Sequence, residues 1–188
     1  MKVAYNIALF NPEKKLIREL SGKCNSLLKN YYLMFYAHLV GESVTVTRTD
    51  GSNRTYNYPP HAECKWPDSP PPSIPNVFGV AAGSENESYG ILIGTSDAPV
   101  TPDDYDLDAR FSCYVSSTDV SDVFIEAGSI SLTVARTFLN NNVDAVIKEF
   151  GLVAEVWGVG YLLILRETIA PVDFPLDYSL RIKMNFSF

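Results

Sequence analysis

Cysteine is sparse in this chain and histidine sparser. There are three cysteines in 188 residues, Cys24, Cys64 and Cys113, far apart and odd in number. Such a set excludes a disulfide framework, although one pair is still free to bridge. The two histidines, His38 and His61, leave little for imidazole chemistry. Basic residues do not dominate: the net charge is −7, and the densest basic cluster is the short "EKKLIR". That pattern carries no electrostatic footprint for nucleic acid. Long apolar runs are missing as well. The most apolar window, residues 27–40, has fourteen residues and contains Lys29, Asn30 and His38. It is too short and too polar for a transmembrane span, while an interfacial helix stays open. The N-terminal "MKVAYNIALFNPEKK" is interrupted at Asn6 and has no small-residue cleavage site, so it reads as mature sequence.

The common catalytic motifs are equally scarce. There is no Gly-x-Ser-x-Gly, and "GTSDAP" lacks the Gly-Lys-Thr ending of a phosphate loop. "GVG" at 158–160 has no third glycine and opens a strand. "HAEC" at 61–64 begins like a zinc deaminase signature, but no Cys-x-x-Cys follows anywhere. A site built on His61, Cys64 and a distant cysteine is the minority reading, and an incidental His in a proline-rich loop is the better one. No cofactor is implied.

What the chain does have is apolar and aromatic mass. Apolar residues make up 46% and charged residues 20%, the balance of a folded chain. Residues 11–40 are predicted to be helical. Asn11 suits the N-cap, Pro12 the first helical position and Glu13 the positive end of the dipole. Ile17, Leu20, Cys24, Leu27, Tyr31, Met34 and His38 recur at spacings of three and four, and Leu16, Leu28 and Phe35 widen the stripe. Gly22 marks a kink or break, and Gly41 a stop. The stripe either packs on its own domain or forms a self-association seam; both readings stand.

Beyond Gly41 the period changes to two. Val44 and Val46 lead into Asp50-Gly51, so a strand, a tight turn and a second strand are expected over 43–58. Seven prolines fall within 59–76, which excludes a helix interior or central strand and leaves an irregular or polyproline-like loop. From residue 77 the chain reads as short strands, with turns at 140–142 and 158–160 and a bulge or kink at Gly151. The last run alternates Tyr178, Leu180, Ile182, Met184, Phe186 and Phe188 against polar residues. The expected fold is mainly β: an antiparallel, jelly-roll-like β-sandwich over 42–188 carrying the proline-rich loop, with an N-terminal helical extension over 1–41.

"GILIGTSDAPVTPDDYDLDARF" (90–111) holds five aspartates and two prolines. A calcium loop would need a glycine inside it and a glutamate at its twelfth position, and both are missing. The better reading is a strand followed by a shaped turn. Asp103 and Asp104 would bond nearby amides, with Tyr105 and Leu107 packing inward.

The order of "VTVTRTDGSNRTY", this acidic stretch, "ISLTVARTFLNNN", "VIKEFGLVAE", "LLILRET" and "SLRIKMNFSF" resembles a group of β-rich virion structural proteins of tailed phages and related prokaryotic viruses. The resemblance covers residues 43–58 and 90–188. Ser96-Asp97, where a Gly or Thr is more usual, and the long proline insertion depart from it. It implies no catalytic residue and no enzyme. It implies a protein that assembles symmetrically with its own copies and other virion proteins, made in the host cytoplasm and located in the virion as a minor capsid, decoration, adaptor or tail or fibre-base component. Ile17, Leu20, Leu27, Tyr31, Met34 and Phe35, with Trp66 in the proline arm, are the expected contact residues. The alternative is a carbohydrate- or surface-binding module that meets a host-surface glycan through Tyr and Trp. A metal-dependent hydrolase using the aspartates is the weakest reading.

Overall fold

Asn11 and Pro12 close a hairpin in the computed structural model, which describes residues 2–24, 26–56, 79–126, 129–156 and 158–187. Strand β1 (Lys2–Phe10) turns back into β2 (Leu16–Cys24), and the two pair antiparallel. The Lys14 amide donates to the Asn11 carbonyl at 2.9 Å, and the Asn11 side chain accepts from the Lys15 amide at 2.9 Å. Asn then Pro opens a type I turn as readily as it opens a helix. The predicted helix over 11–40 is therefore corrected: only α1 (Lys29–Val40) is helical. Gly22 is not a helix kink. It lies opposite Tyr5 on β1, and a Cβ there would stand 2.5 Å from the Tyr5 ring. The helical extension over 1–41 gives way to two strands and a shorter helix. Gly41 ends α1 in the left-handed region, with its N–H on the Ala37 carbonyl.

The predicted hairpin follows, β3 (Val44–Thr47) and β4 (Asn53–Tyr56), closed by Asp50-Gly51. Next come β5 (Gly90–Gly94), β6 (Tyr114–Val115), β7 (Asp119–Val120), β8 (Phe124–Glu126) and β9 (Ser129–Leu139). The chain ends with β10 (Ala145–Val156), β11 (Gly160–Phe174) and β12 (Ser179–Ser187). The proline-rich loop at 59–76, with His61, Cys64 and Trp66, lies outside the described residues.

The strands form antiparallel sheets. The largest runs β2-β1-β12-β9, with β6, β7 and β8 lying in series along the far edge of β9. A three-stranded sheet runs β11-β10-β5. β12 shows why the alternation matters. Leu180, Ile182 and Met184 are fully buried, while Arg181, Lys183 and Ser187 face water. Each such burial is worth about 1.5–3 kcal/mol. One apolar cluster draws on both sheets, joining Ile7, Phe138 and Ile182 to Ile93, Phe150 and Leu165. Tyr5 on β1 meets Phe150 on β10 edge to face, centroids 5.2 Å apart. Gly151 lies between two register shifts in the β10–β11 ladder. Among the described residues no helix is long and apolar enough to cross a membrane.

Candidate functional site

The acidic loop leaves β5 at Gly94 and returns toward β6, held at its root by the Thr95 amide on the Ala109 carbonyl and the Phe111 amide on the Ile93 carbonyl. Each of its five aspartates has a partner. Asp97 meets Lys148 at 3.0 Å and Asp103 meets Lys29 at 2.8 Å, both at the surface. Asp106 pairs with Arg110 at 2.6 Å, and Asp108 accepts from the Ser96 hydroxyl at 2.6 Å. Asp104 closes the turn on itself, accepting from the Thr101 amide at 3.1 Å and the Thr101 hydroxyl at 2.6 Å.

Asp104 also reaches inward. Its Oδ2 accepts from Arg166 Nη1 at 2.6 Å, and Arg166 Nε donates to Glu149 Oε2 at 2.8 Å. The Arg166 and Glu149 side chains are 3% and 0% exposed. Glu149 also accepts from the Ala109 amide at 3.0 Å. Gly94 makes room for this carboxylate, since a Cβ there would strike it and would stand 2.6 Å from the Ala109 carbonyl. A buried charge is tolerated only when paired and hydrogen-bonded, and this network meets both conditions.

A second buried cation sits on β9. Arg136 is 1% exposed and, among the described residues, donates to main-chain oxygens: Ser116, Tyr89 and Ile91 at 3.0 Å each, Gly83 at 3.3 Å, and Asn86. It fastens the segment before β5 and the one after β6 onto β9.

The electrostatics follow from these contacts. Burial alone would raise the Asp104 carboxyl, but the bonds from Thr101 and Arg166 outweigh it and hold the group below the usual carboxylate range. Asp106 goes the other way: burial raises it despite Arg110. Burial, then the Glu167 charge, pushes the Cys24 thiol up to about 12; burial, then Glu87, does the same for Cys113. Neither is an activated thiolate. Among the described residues, no three His, Cys, Asp or Glu side chains converge so as to hold a metal ion.

The predicted contact residues scatter. Ile17 is exposed and Leu20 half-buried, both on β2, not on the helix. Leu27 bridges to Leu165 and is half-buried, as is Tyr31. Met34 is 5% exposed and packs into its own chain, so it offers no surface to a neighbour. Phe35 is exposed, together with Tyr32, Tyr36, Leu39 and Val40 on α1. In the turn Leu107 is buried, but Tyr105 is corrected: it is 46% exposed, beside Gly51.

Sequence reasoning missed the buried Arg136, Glu149 and Arg166. Arg136 and Glu149 each had a signal of a different kind. Arg136 shares parity with Val134 and Phe138 and so falls on the dry face of β9, while Glu149 adjoins a nearly continuous apolar run, 150–154, that marks β10 as buried on both faces.

Compared with family models, curated proteins and solved structures, the chain matches none.

Proposed function

We propose that this chain is a non-enzymatic virion structural protein, a jelly-roll-like β-sandwich that assembles with its own copies and with other virion proteins. The observation that carries the reading is the outer face of α1. Tyr32, Phe35, Tyr36, Leu39 and Val40 lie exposed on one short helix. Apolar patches of this kind mark association sites. The ordered motif resemblance points the same way. The acidic loop supports a scaffold role, because its aspartates are spent on Lys29, Arg110, Lys148, Arg166 and Ser96. The test is the mass of the full chain in solution and its co-purification with particles. Concentration-dependent oligomers that Phe35→Lys with Leu39→Lys disrupts are expected. A persistent monomer that never accompanies particles would sink the reading.

A specific cleft favours one second reading, a glycan-binding module. About 420 Å³ in volume, it is lined by Glu85, Glu87, Ser112, Tyr114 and Asn141. Exposed Tyr114 offers a face for a sugar ring, and the carboxylates and amide suit hydroxyl groups. Glycan-array binding lost on Tyr114→Ala would favour it, and an array with no hits would remove it.

A further inference from the structure

The two borders of the largest sheet differ in charge, and both expose apolar side chains. On one border β2 has β1 as its one strand partner among the described residues; Arg18 is held by the Pro171 carbonyl at 2.8 Å, and Leu16 and Ile17 are exposed. On the other, the β6 end is covered: the Thr118 amide bonds the Ala82 carbonyl, and the Val115 carbonyl accepts from Glu85. Residues 119–126 have no such cover among the described residues. There Val123, Phe124 and Ile125 stand in a row, with Phe124 63% and Ile125 76% exposed. Val123 just before β8, with Phe124 and Ile125 on it, lines an edge uncovered among the described residues, a surface that pairs with another strand.

Charge identifies the occupant. Residues 13–24 hold four basic side chains against two acidic, whereas residues 112–135 hold three acidic residues and no Lys or Arg. Pairing the β7–β8 border antiparallel with its own copy would bring Asp119 toward Asp122 of the other chain, and pairing the β2 border with itself would bring Lys15 toward Lys23. Like charges across a strand pair repel and opposite ones attract. We infer that the β2 edge of one copy docks on the β7–β8 edge of the next, head to tail. Each copy then uses both borders, and the contact propagates into a ring or a filament. This inference rests on the assembly reading and adds a strand-edge interface to the α1 face.

The experiment uses the full chain and two charge-swapped variants, Lys15→Glu with Lys23→Glu, and Asp119→Lys with Asp122→Lys. Sedimentation velocity is expected to show wild-type association beyond a dimer that weakens with salt. Each variant alone associates at least tenfold more weakly, and an equimolar mixture of the two recovers assembly. Hydrogen exchange on the unaltered chain provides a measurement independent of variant folding. Amides of 16–24 and 119–126 gain protection as concentration rises. Variants that associate like wild type, a mixture that fails to recover, or edge amides that stay unprotected would each overturn the inference. If Phe35→Lys with Leu39→Lys abolishes association while the swaps do not, the edge pairing is wrong and the assembly reading survives. A wild-type monomer at every concentration removes both.

Discussion

Arg166 Nε lies 2.8 Å from Glu149 Oε2, and neither side chain has meaningful contact with water. Removing one partner of such a pair strands the other charge in a low-dielectric interior, which costs on the order of 3–5 kcal/mol. Glu149→Gln should therefore lower stability by about 3 kcal/mol in urea unfolding, a large part of the 5–15 kcal/mol typical of a domain. Arg166 keeps Asp104 as a partner in that variant, so adding Arg166→Met should cost less there than Arg166→Met costs in the wild type, the two side chains being coupled through one buried bond. A double variant less stable than the sum of the singles would show that the pair is not acting as a unit.

Asp104 and Asp106 should shape acid stability in opposite directions. Asp104 is held below the ordinary carboxylate range in the folded chain. Its contribution is complete above about pH 4 and is lost as pH falls through the folded pKa. Asp106 is raised, so the folded chain binds its proton more tightly than the unfolded chain does. Its contribution is complete in acid and declines as pH rises through the folded pKa. Thermal melts from pH 2 to 7 should show Asp104→Asn losing least at the acid end relative to wild type. Asp106→Asn should lose most there. Parallel curves for wild type and both variants would contradict the assignment.

Those two residues also show what was legible in the sequence. The turn Thr101–Asp104 was readable because its chemistry is local: the side chain bonds an amide three residues away. The partner Arg166 was not readable, being sixty-two residues distant, with nothing in local spacing to announce it. Strand alternation at Ser179–Ser187 was plain because one face is wet and the other dry. Residues 11–24 read as helix because Asn11-Pro12-Glu13 suits a turn and a helix start equally. Only pairing with β1, a tertiary fact, decides between them. Local spacing does not distinguish Tyr105 from Leu107, and of the pair it is Leu107 that reaches the core.

Cys24 and Cys113 should behave as inert core residues. Both are buried, and both thiols are pushed up to about 12. At pH 8 almost none of either is thiolate, and reagent access requires the surrounding structure to open. With Cys64→Ser in place, labelling by a thiol reagent should be slow in the native protein and complete in denaturant. Its rate should follow global unfolding as urea is raised. Fast labelling of one thiol in the native state would place that cysteine in a locally opening region.

Gly22→Ala offers a test whose sign separates strand from helix. In a helix interior the change would stabilise the chain by about 1 kcal/mol, since alanine is the better helix former. On β2 the new methyl would stand 2.5 Å from the Tyr5 ring, closer than side-chain carbons approach. The ring must move, and it is the same ring that packs edge to face on Phe150. Overpacking of this kind costs about 1–3 kcal/mol. The double variant Gly22→Ala with Tyr5→Leu should suffer less from the added methyl than wild type does, because the shorter side chain leaves the space above residue 22 open. Chemical denaturation of the four proteins in that cycle reads both effects. A stabilising Gly22→Ala would mean that Tyr5 does not cover this strand.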